Sequence, residues 1–150
     1  MIETVLCYIK IDGKYLMLYR NKKKNDPNAE KWMGVGGHIE DGEDKVTAMK
    51  REIFEETGLT VLDYSFKGVV TFINDNYQEK MYLFVIDKTE GVLIDCNEGE
   101  LALFNEEEIY KLNMWEGDKI FLPYIFSNKE YFELKLYYKN DVFVKSEVVK

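Results

Sequence analysis

Runs of apolar, β-branched and aromatic residues, separated by short polar segments, recur along the chain and predict β-strands. Asp12-Gly13 and Asn74-Asp75-Asn76 lie between such runs and predict tight turns. Gly68 interrupts the longest run and predicts a β-bulge at that point. The predicted extended segments are Thr4–Ile11, Tyr15–Tyr19, Trp32–Gly36, Thr60–Ile73, Glu79–Ile86, Glu100–Phe104, Tyr131–Tyr138 and Val142–Lys145.

A different pattern occupies the stretch between Glu43 and Gly58, which contains neither proline nor glycine. Its apolar residues recur three and four positions apart and predict an amphipathic helix from about Asp44 to Thr57. Gly58 is the expected stop signal at the carboxyl end. The predicted apolar stripe consists of Val46, Met49, Ile53 and Phe54.

Two shorter helices are predicted later in the chain, one over Glu106–Leu112 with Asn105 as its cap and one from Asp118 toward Ser127. Asp118 is the expected cap of the second helix, and Lys88–Gly91 is an expected turn. Strands and helices do not alternate as regular βαβ units, which indicates an α+β or α/β fold with a mixed sheet. The length of 150 residues suits one domain over residues 1–150.

Composition narrows the functional classes. The net charge of −8 argues against binding to nucleic-acid polymers, which needs a broad basic surface, but leaves small anionic substrates open. Cys7 and Cys96 are too few for a disulfide framework. No apolar run approaches the length of a membrane span, and no signal peptide is evident. We therefore expect a cytoplasmic protein without membrane association.

The predicted central helix carries an unusual acidic face. Glu52, Glu55 and Glu56 are spaced so that their carboxylates lie side by side and repel one another. Two of them also lie in the last turn, where the helix dipole disfavours negative charge. A hard divalent cation bound by carboxylate oxygens would relieve both penalties. The alternative is a solvated acidic helix with no ligand.

Residues 37–59, GHIEDGEDKVTAMKREIFEETGL, resemble the Nudix box at every fixed position and with its spacings intact. The matching residues are Gly37, Glu43, Arg51-Glu52-Ile53, Glu55-Glu56 and Gly58-Leu59. This resemblance implies an α/β/α sandwich around a mixed β-sheet. It also implies a hydrolase that cleaves a diphosphate linked to an organic group, usually a nucleoside.

The resemblance assigns roles to the acidic residues. Glu52, Glu55 and Glu56 are expected to bind Mg²⁺ or Mn²⁺, with Glu55 or Glu56 as the general base, and the carbonyl of Gly36 as a further ligand. Gly37, Glu43, Arg51 and Gly58 are expected to be structural residues of the box, with Glu43 and Arg51 as an ion pair. Glu100 is either an additional catalytic and metal-binding glutamate or a surface acid at a strand end.

Substrate contacts are implied in the same way. The lead-in Lys31–Gly37 and the segment Met114–Asp118 resemble oxidised-purine nucleotide hydrolases of the MutT class. In those proteins a tryptophan stacks on the purine and acids bond its edge. The residues expected to bind substrate are Arg20, Gly37, His38, Phe72, Trp115 and Asp118. For three of them an alternative stays open: a solvated cation for Arg20, an exposed loop residue for His38, and a core or lid aromatic for Trp115.

Two departures bear on specificity, because Met33 and Gly117 stand where some relatives carry polar residues that read the base. The leading hypothesis is a Mg²⁺-dependent nucleoside triphosphate pyrophosphohydrolase acting on 8-oxo-dGTP or a related oxidised purine nucleotide. The alternative within the family is another (d)NTP or a nucleotide sugar. A nucleotide-sensing domain without turnover is the alternative of another class, but such a domain is expected to have lost box carboxylates, and none is lost here.

Overall fold

The computed structural model describes residues 1–150, which form nine strands and three helices. The strands are β1 (Ile2–Ile11), β2 (Lys14–Arg20), β3 (Trp32–Met33), β4 (Val35–His38), β5 (Thr60–Asn74), β6 (Tyr77–Glu90), β7 (Gly99–Phe104), β8 (Phe132–Lys139) and β9 (Val142–Val148). The helices are α1 (Lys45–Thr57), α2 (Glu106–Ile109) and α3 (Asp118–Phe126).

All nine strands belong to one sheet, with the order β3-β2-β1-β6-β5-β8-β9 along its main path. Strand β4 pairs with β1, and β7 pairs with β2. The β1–β6 and β5–β8 pairs are parallel, whereas the remaining pairs are antiparallel. The mixed sheet predicted from the sequence is therefore confirmed.

Helices cover both faces of the sheet because alternate residues of the central strands point to opposite sides. On one face, Val5, Cys7 and Ile9 of β1 share a buried cluster with the α1 residues Ala48, Met49 and Ile53. On the other face, Leu6 and Tyr8 share a second cluster with the α3 residues Phe121, Leu122 and Ile125. This arrangement confirms the α/β/α sandwich.

The bulge expected at Gly68 is present, since the pairing of β5 with β6 shifts register between Phe66 and Gly68. A side chain at Gly68 would place its Cβ 2.1 Å from the Phe132 carbonyl oxygen, so the close approach of β8 requires glycine. The turn expected at Lys88–Gly91 is wrong for most of its length. Strand β6 continues to Glu90 because β5 extends back to Thr60 and offers it a partner.

Both of the shorter helices differ from expectation at one end. Helix α2 is shorter than expected and ends at Ile109, although Asn105 caps it as predicted by accepting a hydrogen bond from Glu108 N at 2.9 Å. The expected cap of α3 is wrong. Asp118 is the first helical residue and Gly117 precedes it without a side-chain cap. The Asp118 carboxyl group therefore does not cap the helix.

None of the three helices has the length and apolar character that crossing a membrane requires.

The helix α1 gives a direct test of which apolar residues hold it to the sheet. Ile53 is 0% exposed and lies in the cluster with β1, whereas the neighbouring Phe54 is 58% exposed. We expect Ile53→Ala to lower the free energy of unfolding by about 2–5 kcal/mol. Phe54→Ala, the matched control, should lower it by less than ~1 kcal/mol. Urea denaturation measures both, and losses of equal size would contradict this packing.

Candidate active site

The acidic face of α1 is fixed by the two ends of the helix and by its buried stripe. The Asp44 side chain caps the start by accepting a hydrogen bond from Thr47 N at 2.8 Å. Gly58 ends the helix in the left-handed conformation, with φ of 79°, and its N–H bonds to the Phe54 carbonyl. With Ala48, Met49 and Ile53 packed on the sheet, the glutamates turn toward the loop before the helix.

Arg51 ties that loop to the helix. Its Nε and Nη2 donate to the two carboxylate oxygens of Glu43 at 2.8 and 2.9 Å, and Nη2 also donates to the His38 carbonyl at 3.0 Å. The chain before α1 therefore curls back and brings Glu43 and Arg51 together in a bidentate pair. The hydrogen bonds from Arg51 hold the pKa of Glu43 at about 2.

Arg51 also holds two of the helix glutamates. Its Nη1 donates to Glu52 at 2.8 Å and to Glu55 at 3.3 Å. Glu52 is partly buried against Gly37, where a Cβ would lie 2.5 Å from the Glu52 carboxyl group, so Gly37 makes room for that carboxylate. Burial raises the pKa of Glu52. Glu55 is more open, with its side chain 56% exposed.

Glu56 is the most deeply placed acid of the helix. It is 8% exposed, and its Oε2 is buried without a hydrogen-bond partner. The carboxyl group of Glu98 faces it, and a bond between two carboxyl groups requires that they share a proton. Burial, followed by the proximity of Glu98, raises the pKa of Glu56. Without a proton or a cation, the buried Glu56 carboxylate would have no hydrogen-bonded partner of opposite charge.

Glu98 rather than Glu100 therefore lies beside the helix acids. The Glu100 side chain is directed elsewhere, because it is exposed and accepts a hydrogen bond from Asn21 Nδ2 at 2.8 Å. Glu98 precedes β7 directly, and Gly99 allows close approach to β2, since a Cβ there would lie 1.7 Å from the Tyr19 carbonyl oxygen. Sequence reasoning missed Glu98, and an acid placed directly before such a glycine was the available signal.

These oxygens fit a hard divalent cation. The unpartnered Glu56 Oε2 and the facing Glu98 offer two carboxylates, and Glu52 and Glu55 lie one turn or less away on α1. As the side chains stand, no three acidic, histidine or cysteine groups converge on one point, because Arg51 holds Glu52 and Glu55. Glu52 and Glu55 must turn from Arg51 to complete a site with Glu56 and Glu98.

The pairing of two strands requires glycine at position 36. A Cβ at this position would lie 1.9 Å from the Val5 carbonyl oxygen, so glycine permits the pairing of β4 with β1. Gly36 also lines the cavity beside the acids.

One cavity of about 410 Å³ joins the acidic region to a group of aromatic side chains. All six residues expected from the sequence to contact substrate line it, together with Glu98 and Met33. They are Arg20, Gly37, His38, Phe72, Trp115 and Asp118. The volume lies in the range of small-molecule sites.

Arg20 is not a free cation at a strand end. Its Nε donates to Asp26 at 2.8 Å and its Nη1 donates to Glu98 at 3.0 Å. The Arg20 and Asp26 side chains are 10% and 2% exposed, so this ion pair is buried in the cavity wall. Arg20 therefore orients Glu98, which places the guanidinium next to the acidic group.

The aromatic end of the cavity is built around Trp115. Its ring contacts Phe72 and Tyr138 edge-to-face, at centroid distances of 5.4 and 5.3 Å. The indole Nε1 donates to Asn28 Oδ1 at 2.8 Å, and Lys31 Nζ lies 4.6 Å from the ring centre. The indole is thus fixed in orientation at the cavity wall.

Asp118 is the acid at this end. It is buried, and burial followed by the charge of Glu79 raises its pKa from 3.8 to about 7, against the opposing charge of Lys31. Gly117 beside it has no room for a side chain, because a Cβ would lie 2.6 Å from the Tyr138 hydroxyl oxygen. That oxygen accepts a hydrogen bond from Gly117 N at 2.6 Å. Tyr138 therefore excludes a second acid from this position.

Known proteins resemble this chain in sequence and in fold. The model of the NUDIX domain family matches residues 2–125. An oxidized purine nucleoside triphosphate hydrolase of Danio rerio is 29% identical over 128 residues, covering 84% of this chain and 82% of its own. An uncharacterized Nudix hydrolase of Bacillus subtilis is 31% identical over 125 residues, covering 79% and 75%. The crystal structure of a MutT protein from Bacillus halodurans superposes with a TM-score of 0.87 at 23% identity, covering 99% and 98%.

The raised pKa of Asp118 predicts a pH-dependent stability. Between about pH 4 and pH 7 the unfolded chain releases the Asp118 proton, while the folded chain keeps it because its pKa is about 7. Between pH 5 and pH 8, rising pH should therefore destabilise the wild type relative to Asp118→Asn by about 3 kcal/mol, with little further change at higher pH. Urea denaturation of both proteins at pH 5 and pH 8 measures this difference. An unchanged difference between the two pH values would show that Asp118 is ionised throughout.

Proposed function

The chain belongs to the Nudix family, and on this premise we propose that it is a Mg²⁺-dependent nucleoside triphosphate pyrophosphohydrolase. It would convert a nucleoside triphosphate into the monophosphate and pyrophosphate, with 8-oxo-dGTP as the first substrate to test. Because its substrates would be free nucleotides, we also propose a cytoplasmic location.

The observation that carries this proposal is a single cavity with two unlike ends. Glu98 lines one end, with Glu56 of α1 facing it from outside the cavity, and Trp115, Phe72 and Asp118 line the other. A nucleoside triphosphate has the same division, with charged phosphates joined to a flat aromatic base. The volume of about 410 Å³ suits a ligand of that size better than it suits inorganic pyrophosphate alone.

At the acidic end, each side chain has a defined task in this proposal. A bound divalent cation supplies positive charge to the phosphate oxygens. Glu52, Glu55, Glu56 and Glu98 would hold it, and Glu55 or Glu56 would accept the proton of the attacking water. Gly37 and His38 line the wall against which the phosphates would lie, and Arg20 fixes the position of Glu98.

At the aromatic end, Trp115 stacks on the base and Phe72 closes the wall beside it. Because its pKa is about 7, Asp118 keeps its proton over a large fraction of molecules near neutral pH and can donate to a carbonyl oxygen of the base. The fish relative named as an oxidized purine nucleoside triphosphate hydrolase supports a purine here.

Two residues favour the alternative within the family, a different (d)NTP or a nucleotide sugar. Met33 lines the cavity and offers no hydrogen bond, and Tyr138 leaves no room for a second acid at Gly117. A site with one acid discriminates among bases less sharply than a site with several fixed polar groups.

A substrate panel tests the proposal. We expect pyrophosphate and nucleoside monophosphate as products, with a higher kcat/KM for 8-oxo-dGTP than for dGTP, and no turnover when Mg²⁺ is removed by a chelator. Canonical and oxidised nucleotides, nucleotide sugars and dinucleoside polyphosphates should be compared by chromatography of the products. Release of inorganic phosphate alone from every triphosphate would contradict the reaction, and tight nucleotide binding without turnover would favour a sensing domain.

A pair of variants tests whether Glu98 or Glu100 is the catalytically important acid outside the box. Glu98→Gln should lower kcat by on the order of 10²-fold or more, because Glu98 faces Glu56 and lines the cavity. Glu100→Gln should have a much smaller effect, because Glu100 bonds to Asn21 away from that group. Steady-state kinetics at saturating Mg²⁺ gives both values. A larger loss for Glu100→Gln would return the catalytic role to Glu100.

A further inference from the structure

A continuous line of hydrogen bonds connects the two ends of the cavity. It begins at Glu98, which accepts from Arg20 Nη1 at 3.0 Å, and continues from Arg20 Nε to Asp26 Oδ2 at 2.8 Å. The other oxygen of Asp26 accepts from the backbone N–H of Asn28 at 3.0 Å. Asn28 Oδ1 accepts in turn from the indole Nε1 of Trp115 at 2.8 Å.

The middle of this line is buried and therefore stiff. The Asp26 side chain is 2% exposed and the Arg20 side chain 10% exposed. Burial alone would raise the pKa of Asp26, but its bonds from Arg20 and Asn28 keep the pKa below the usual value. The buried charges of Arg20 and Asp26 are stable only while they keep their hydrogen-bond partners. Displacement of one residue in the line is therefore opposed by its bonds to the others.

The segment that carries Asp26 and Asn28 joins β2 to β3, and it is fastened at both ends. Arg20 N donates to the Lys31 carbonyl at 3.0 Å, and Glu30 N donates to the Arg20 carbonyl at 2.7 Å. Pro27 restricts the backbone of Asp26 to extended conformations. The 21–31 segment therefore has a defined shape although it contains neither helix nor strand.

We propose that Asp26 and Asn28 are positioning residues that couple the base-binding end of the cavity to its cation-binding end. Through Arg20 they set the orientation of Glu98 according to the position of the Trp115 indole. This inference rests on the proposed function for its account of the two ends. By reciprocity, a ligand that holds the indole in place would also strengthen cation binding.

The test measures Mn²⁺ binding, because that readout does not depend on turnover. Mn²⁺ is titrated into each protein and the free ion is followed by electron paramagnetic resonance, with no nucleotide present. Asn28→Ala removes the acceptor of the indole N–H, and Trp115→Phe removes the donor while keeping an aromatic ring. Neither change touches Glu98, yet each is expected to weaken Mn²⁺ binding by roughly 3- to 10-fold.

Asn21→Ala is the matched control. Asn21 lies in the same segment and, like Asn28, makes a side-chain hydrogen bond. Its partner is Glu100, which lies outside the line. It should leave Mn²⁺ affinity within about twofold of wild type. Melting temperatures of all three variants are measured in parallel, and Trp115→Phe provides the result if Asn28→Ala fails to fold.

Three outcomes would overturn the proposal. The first is unchanged Mn²⁺ affinity in both folded variants, and the second is an equal loss in Asn21→Ala. The third is unaltered tryptophan emission in Asn28→Ala, since a lost indole bond should shift that emission. If the protein binds Mn²⁺ as described but releases no pyrophosphate from any nucleotide, the proposed function fails while this coupling stands.

Discussion

Repulsion among crowded carboxylates is the constraint on which this part of the molecule depends. Glu52, Glu55 and Glu56 share a helix face, and Glu98, directly before β7, adds a fourth acid. The chain has only two arginines among its twenty basic residues, and each lies against this group. Arg51 bonds to Glu52 and Glu55, and Arg20 bonds to Glu98. A planar guanidinium offers five donors in a fixed fork and so holds two carboxylates in set directions, whereas a lysine ammonium is a compact charge on a flexible stem. Of the four acids, only Glu56 has no arginine bonded to it, and its buried Oε2 is unpartnered beside Glu98, where a cation would bind.

Local patterns predicted much of the fold. The spacing of apolar residues located α1, glycine after aspartate located the first hairpin, and Gly68 located the bulge. Each of these signals acts within a few residues. The end of β6 was missed because its partner on β5 is thirty residues away in sequence (Thr60 with Glu90), and a strand extends as far as its partner does. Phe54 is a second case in which the local pattern was insufficient. Its spacing predicted a place on the apolar stripe, but in the packed structure its side chain is exposed.

The sequence predicted those residues of the candidate site whose contacts are close to them along the chain. The box acids and Arg51 came from one stretch of 23 residues, as residues 37–59. Glu98 did not, because the choice between Glu98 and Glu100 depends on how the chain enters β7 against Tyr19. The role of Arg20 depends on Glu98, 78 residues later in the sequence. Distant partners of this kind leave no periodic trace in a single sequence, so their discovery required the fold.

Different interactions act at the two ends of the cavity. Binding affinity and base specificity would therefore depend on different residues. At the acidic end, the proposed attraction between phosphates and a cation would be strong and indifferent to the base. At the aromatic end, the proposed stacking on Trp115 would also be tolerant, because every base offers a flat face. In the proposed function, discrimination would therefore fall on the few polar groups that meet the base edge, chiefly Asp118, which Gly117 leaves without an acidic neighbour. An acid whose pKa is about 7 changes from donor to acceptor across the neutral range. The preferred base edge should change with it, whereas the chemistry at the phosphates is carried by other residues.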